Sequence, residues 1–281
     1  MGDHYVPQYY LKGFSNREGK KIWVYDKKER WKFPTQVKSI AKITGFYSPE
    51  VEQYLADTIE VPANRVIRKI RDRGQITEYD KGILAEYMAV MMKRVPKGKE
   101  RLREHAPSVA KKLSHEICEQ LTIVASTRPE KATLIQKRKS EIKEILNKYS
   151  KDPPKEIWLD TIPPERSPRI VAAVTGMIWR FLTFCDNPVF LTSDNPVFYF
   201  TSIGIGKPES EVIFPISSHI VLWATWRTDL PKGYIAATNQ LVKEINRRTV
   251  SNALRYVFHR KDECWILPFV TKDRWKLNLL R

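Results

Sequence analysis

The spacing of apolar positions along the chain changes character several times, and each change predicts an element. The opening stretch HYVPQYYLKGFS places Pro7 to begin a short helix that carries Tyr9, Tyr10 and Phe14. KIWVYD and RWKFP then read as two short aromatic strands around the charged turn KKE, a hairpin whose Pro34 end looks like an edge. From Val51 the period becomes helical. Leu55, Ile59, Val66, Ile67 and Ile70 recur up to Gly74, with Pro62 marking a kink or break. Thr77 and Asp80 have capping-box spacing, and Ile83, Leu84, Tyr87, Met88, Met91 and Met92 give the following helix a core stripe. Pro96 predicts an end or bend just after Arg94.

Two further helices are predicted, roughly 107–124 and 129–148, the second with Ile135, Ile142, Ile145 and Leu146 as its buried stripe. The Pro-rich segment KDPPKEIWLDTIPPERSP leads to an apolar run from Ile170 to Phe184, which reads as a buried core helix. After it the pattern turns to strands: VFLTS, VFYFT, EVIFPIS, HIVLWATW and YIAAT. A last amphipathic helix, about 239–255, carries Leu241, Ile245 and Val250 and leads into YVFHR and a late strand, CWILPF. The sum is an α+β fold: a helical middle packed against a mostly antiparallel C-terminal sheet, with a short N-terminal helix and hairpin. It reads as a single domain, 1–281, that subdivides into a hairpin-plus-helical part, 1–150, and a buried helix plus antiparallel sheet, 168–281.

Charge changes this picture most. Forty-nine Lys and Arg against 32 Asp and Glu leave a net charge of +17, a field that attracts polyanions. Residues 93–112 hold eight basic side chains, Lys93, Arg94, Lys97, Lys99, Arg101, Arg103, Lys111 and Lys112, against two acidic ones. Residues 128–148 hold seven against three, Lys137, Arg138 and Lys139 among them. Each run alone reads as a solvated helix face; two in succession point to nucleic acid, DNA or RNA. A membrane surface fits less well, because the apolar faces lack interfacial Trp and Phe, and the longest apolar run is interrupted by Arg180. Cys118, Cys185 and Cys264 are odd in number, widely spaced and without zinc spacing; with no secretory signal, they point to a reducing cytoplasm. Nothing in the pattern speaks to oligomeric state.

Several catalytic signatures are missing. There is no phosphate-binding Gly-x-x-x-x-Gly-Lys-Ser/Thr loop, no Gly-x-Ser-x-Gly elbow and no His-Glu-x-x-His. What remains is a pentapeptide, Asp-Asn-Pro-Val-Phe, present twice in CDNPVFLTSDNPVF. Both copies have turn composition. The first, with Asp186 and Asn187, reads as a helix exit. The second, with Asp194 and Asn195, falls between two strands, where scaffolds present reactive groups.

HYVPQYYLKGF at 4–14 and TSDNPV at 192–197, with the weaker pieces IE at 59–60, KRVP at 93–96, FPIS at 214–217 and IN at 245–246, resemble a bacterial family called domain of unknown function 4238. The resemblance spans residues 4–259 and picks out the second pentapeptide copy. It implies a set of residues, His4, Glu60, Arg94, Asp194 and Asn195, and no reaction.

Those residue types suit phosphodiester chemistry. Glu60 and Asp194 would bind Mg²⁺ or Mn²⁺, His4 would move a proton, and Arg94 would bind the phosphate. A metal-dependent nuclease or phosphodiesterase is therefore one expectation. The same residues have structural readings: a capping or core histidine, a Glu60–Arg94 ion pair, a turn at Asp194–Asn195. A second expectation is a non-catalytic nucleic-acid-binding protein, with the basic helices on phosphate and Trp23, Tyr25 and Trp31 as a stacking platform or as core. A third is a small-molecule-binding protein or hydrolase with an enclosed pocket.

Overall fold

The computed structural model describes residues 2–184, 187, 189–272, 275–277 and 279–280. Residues 1–96 and 163–281 make one compact unit, and residues 97–162 another.

The first unit opens with β1 (Gly2–His4), helix α1 (Gln8–Leu11) directly after Pro7, the hairpin β2 (Lys21–Asp26) and β3 (Trp31–Gln36), and β4 (Lys42–Thr44), which pairs antiparallel with β1. Pro34 sits in β3, the edge strand of its sheet, where a missing N–H costs no ladder bond. Helix α2 (Pro49–Tyr54) is capped by the Ser48 hydroxyl and passes through a π-helical stretch, Leu55–Glu60, into α3 (Val61–Arg71). Pro62 lies in the first turn of α3, so the widened turn before it absorbs the missing hydrogen bond. Helix α4 (Glu78–Arg94) starts in the expected capping box of Thr77 and Asp80 and is almost wholly buried from Leu84 onward.

In the second unit, α5 runs from Pro96 to Thr127 with Pro107 inside it, α6 from Ala132 to Lys151, and α7 from Lys155 to Thr161. The first of these begins well before the expected 107, because Pro96 starts the helix at a position that needs no N–H donor. The expected buried stripe of α6 holds only for Ile135; Ile145 is 52% exposed, since two long helices and one short one give this unit little to cover it. No helix among the described residues is long and apolar enough to cross a membrane.

The chain returns to the first unit through α8 (Pro168–Gly176) and β5 (Ile178–Thr183). The run from Ile170 to Phe184 is thus not one helix: its second half is a strand paired on both sides, with β9 (Ile220–Thr225) and β10 (Gly233–Ala236). A strand buried on both faces is apolar throughout and carries no period of two to distinguish it. Next come β6 (Thr192–Ser193), β7 (Phe198–Tyr199) and β8 (Glu211–Ser217), then α9 (Asn239–Asn252), β11 (Tyr256–His259) and α10 (Ile266–Val270). CWILPF, expected as a strand, supplies α10; Pro268 falls in its first turn, where proline is tolerated.

The strands form a five-stranded sheet, β10-β5-β9-β8-β7, parallel only between β10 and β5, and a four-stranded antiparallel sheet, β3-β2-β11-β6. The N-terminal hairpin therefore joins the C-terminal strands in one sheet. β6 and β7 lie in different sheets, so the segment between them, Asp194 to Val197, crosses from one to the other. Phe190, Ile213, Val221, Trp223 and Ile245 form one core cluster, and Tyr25, Leu191, Val250 and Val257 a second.

Candidate functional site

Three of the five candidate residues meet. The last turn of α4 carries Arg94, whose side chain is 1% exposed. Its Nη1 donates to Glu60 Oε1 at 2.7 Å, and its Nη2 donates to the His4 carbonyl at 2.7 Å. The Tyr47 hydroxyl in turn donates to the Arg94 carbonyl, and the Tyr47 ring lies against the guanidinium. One cation thus ties β1, the π-helical stretch and α4 together. Burial opposes its charge, yet Tyr47 and Glu60 hold its pKa above the ordinary arginine value. The half-buried His4 ring donates from Nε2 to the Lys38 carbonyl at 3.2 Å. Its pKa is lowered, first by burial, with Lys42 and Arg94 adding and the Lys38 carbonyl and Glu60 opposing.

Beside this cluster lie two acids that sequence motifs did not signal. Asp3 accepts from the Tyr47 N–H at 3.0 Å. Glu52 is raised above the usual carboxylate range by burial, with Asp3 and Glu60 adding and Arg94 opposing, and its Oε2 is buried with no hydrogen-bond partner. Both line a shallow cavity of about 460 Å³ with Tyr47 and Gln53. A helical reading of 49–60 places Glu52 and Glu60 on one element, but only the fold brings Asp3 and Tyr47 to them.

Asp194 and Asn195 do different work. Asp194 is 3% exposed. Its carboxylate accepts three backbone N–H groups, Leu254 at 2.8 Å, Arg255 at 2.7 Å and Tyr256 at 2.8 Å, while its own N–H donates to the Tyr256 carbonyl. Burial nevertheless outweighs these bonds and the attraction of Lys27, leaving the carboxyl at about 6. Asn195 Nδ2 donates to the Asn252 carbonyl and Asn252 Nδ2 donates back to the Asn195 carbonyl, at 2.9 and 2.7 Å. Lys27 Nζ donates to the carbonyls of Val250 and Ala253. Lys27 and Asn195 thus satisfy open carbonyls at the end of α9, while the Asp194 carboxylate takes the N–H groups that follow and fixes the turn into β11. The second pentapeptide copy is a clamp between two sheets and a helix end. Of the first copy, Asp186 and Pro188 lie outside the described residues.

The other signature pieces are tied into the same framework. Tyr10 and Thr192 share a buried hydroxyl–hydroxyl bond of 2.6 Å. Asn246 accepts from the Leu191 N–H and donates to the Val189 carbonyl. Ile216 of FPIS accepts from Arg71. Glu60 is engaged by Arg94 and Asp194 by backbone N–H groups. Among the described residues no group of three or more His, Cys, Asp or Glu is placed to hold a metal ion. Glu60 and Asp194, each held by partners within the fold, do not make a donor set that fits a resident Mg²⁺ or Mn²⁺.

The nine candidate cations for nucleic acid sit on the second unit. Lys97, Lys99, Arg101, Arg103, Lys111 and Lys112 are on α5, and Lys137, Arg138 and Lys139 on α6. Arg103, Lys111, Lys112, Lys137 and Arg138 are exposed; the others are half-buried. Several have acidic neighbours: Lys97 with Glu100 and Glu104, Arg103 with Asp152, Lys112 with Glu116, Arg138 with Glu141. Lys99 lies 5.5 Å from the Trp158 ring centroid. Of the hairpin aromatics, Tyr25 belongs to the core and Trp23 packs against it, while Trp31 is 54% exposed and stacks on Phe33.

No curated protein and no solved structure matches the chain. A family model described as a protein of unknown function, DUF4238, matches residues 3–263. The match takes in the five- and four-stranded sheets, the helical unit and the clamp at Asp194, and the chain belongs to the DUF4238 family.

Proposed function

We propose that the protein binds nucleic acid through the exposed cations of its helical unit. The observation that supports this most is the length and accessibility of those helices. A helix of 32 residues such as α5 is about 48 Å long at about 1.5 Å per residue, more than one turn of a duplex. Residues 97–162 carry fifteen Lys and Arg against ten Asp and Glu, within a chain of net charge +17. Their ion pairs are solvent-exposed, worth about 0–1 kcal/mol each, so a phosphate can replace a carboxylate at little cost. Cleavage has weaker support than binding, because Arg94, Glu60 and Asp194 all face partners within the fold.

Fluorescence anisotropy with labelled single-stranded RNA, single-stranded DNA and duplex DNA, at rising salt, tests the proposal. Affinity should fall steeply with salt and vary little with sequence. Absence of binding at low salt, or binding indifferent to salt, overturns it. The same substrates incubated with Mg²⁺ or Mn²⁺ should stay intact; metal-dependent cutting that follows the protein through purification would establish the catalytic alternative.

A further inference from the structure

Residues 97–162 are less than a quarter of the chain, yet eight of the fifteen large apolar side chains exposed among the described residues lie there. The buried large apolar side chains of this unit are Ile135, Trp158 and Ile162. Scattered apolar side chains on a surface mean little, whereas a contiguous face of them marks a contact.

Helices α5 and α6 run antiparallel: Lys139 Nζ donates to Thr122 Oγ1 at 2.6 Å near the turn, and Arg103 meets Asp152 at 3.5 Å at the far end. Their seam is visible in the burial pattern. Ala110, Ser114, Ile117, Leu121 and Ala125 are partly covered on α5. Ile135 is buried on α6, and Lys139, Ile142, Leu146 and Ser150 are partly covered. Six of the eight exposed apolar residues precede a seam residue by one: Val109, Leu113 and Val124 on α5, and Leu134, Ile145 and Tyr149 on α6. One residue is about 100° of helix rotation, so each helix carries a second apolar stripe beside its seam. Because the helices run in opposite directions, a step back of one residue turns both stripes to the same side of the pair. The hairpin therefore has one apolar face. Its charged members bring their own partners: Glu116 lies 3.8 Å from Lys112, and Glu141 lies 2.7 Å from Arg138.

Size and charge say what covers this face. It runs about 48 Å along α5 and about 30 Å along α6, with each helix about 10 Å across. That is roughly 800 Å², the share of one partner in a standard interface. Charge is unevenly divided along α5. Residues 97–112 hold six Lys and Arg against two Glu, while residues 113–127 hold Glu116 and Glu119 and no Lys or Arg. Helix α6 is basic in both halves. A second hairpin can close on the first about a two-fold axis in two ways. Laying α5 on α6 of the second copy sets the basic half of α5 against a basic half of α6. Laying α5 antiparallel on α5 sets basic half against acidic half, twice by symmetry.

We propose that this face docks a second copy of the chain, α5 lying antiparallel on α5 about a two-fold axis, so that two hairpins make a four-helix bundle. The inference goes beyond nucleic-acid binding and rests on other side chains. Lys111 lies about 200° round the helix from both Val109 and Leu113, so it stays in solvent in the dimer.

Light scattering after size exclusion, on the full chain without nucleic acid, tests the association. Interfaces of this size bind at about 1 µM or tighter, so at about 50 µM the chain should run at twice its mass. Leu113→Glu and Ile145→Glu should each raise the dissociation constant at least about tenfold, because each places a charge in the apolar contact. Both positions are exposed in the single chain, so the helix content measured by circular dichroism should not change. Tyr79→Glu, which removes an exposed aromatic from the first unit, should leave the mass unchanged. Electron-spin distance measurements test the arrangement, with nitroxides on Lys112→Cys or Glu104→Cys in a chain whose native cysteines are replaced by serine. The distance between copies should be markedly shorter for Lys112, since each residue away from the two-fold axis adds about 3 Å. Equal distances from the two labels overturn the antiparallel pairing. A monomer at about 50 µM, or a dimer that persists in both Glu variants, overturns the proposal whether or not the chain binds nucleic acid.

Discussion

At the scale of single residues, Arg94 shows what a buried charge requires. It is 1% exposed and holds its place through Glu60, the His4 carbonyl and the Tyr47 ring. Removing Glu60 leaves the cation unpaired, and such losses cost about 3–5 kcal/mol. Glu60→Ala should therefore destabilise by about 3 kcal/mol in urea unfolding. Glu60→Ala combined with Arg94→Met should cost clearly less than the two single changes added, since neither charge is then left alone. Strict additivity would show that the pair is not coupled.

Asp194 makes a prediction of opposite character. Its folded pKa, about 6, lies above its unfolded value. Between about pH 4 and pH 6 the folded chain keeps a proton that the unfolded chain has lost, so stability from this group falls as pH rises through that window. The deficit is complete above about pH 6, at about 3 kcal/mol. Asp194→Asn removes the titration and leaves the depressed His4 and His219 in place, whose opposing contributions cancel in the comparison. The stability of the wild type relative to this variant should fall by about 3 kcal/mol from pH 4 to pH 7. A difference that stays flat would contradict the burial argument.

At the scale of elements, helix ends and breaks decide the fold as much as helix interiors do. Thr77 and Asp80 close the start of α4, and the π-helical stretch before Pro62 lets one helical path continue into α3. Asp194, Asn195 and Lys27 close the end of α9. Pro107 has no such compensation, because it lies inside α5, where it removes a backbone bond and crowds the preceding turn. Pro107→Ala should stabilise the helical unit by about 2 kcal/mol, visible as an increase in its thermal midpoint by far-ultraviolet circular dichroism. An unchanged or lower midpoint would mean that the helix gains nothing from regaining that backbone bond.

At the scale of the whole molecule, the question is where the net charge of +17 resides. On α5 and α6 the cations are spread along exposed surfaces with acids between them. Lys12, Arg71, Arg73 and Arg260 instead line one cleft of the first unit. Each phosphate contact on an extended surface adds about 0.7–0.9 to the slope of log affinity against log salt. Replacing Lys111, Lys112, Lys137 and Arg138 by Gln should lower the slope for oligonucleotide binding by about 3. A slope unchanged by those four substitutions would move the nucleic-acid contact off the helices.

Features that depend on neighbours a few residues apart are legible along the chain. The capping box at Thr77–Asp80, the core stripe of α4, the short helix after Pro7, the N-terminal hairpin and the runs that became β8 and β9 are all local patterns, and so is the excess of positive charge. The two family signatures, too, were legible as strings. Tertiary structure alone decided the rest, because an apolar run does not name its partners. Ile178–Thr183 is a strand only because β9 and β10 accept its backbone on both sides, and CWILPF contributes a helix to the core beside Tyr25. The same reason governs the polar residues: a carboxylate that holds a turn and one that waits for a substrate are the same letter. Asp194 is assigned by backbone N–H groups sixty residues away, and Arg94 by a glutamate and a carbonyl from two other elements. The cleft of Lys12, Arg71, Arg73, His219 and Arg260 gathers charges from four separated stretches, and no spacing rule connects them.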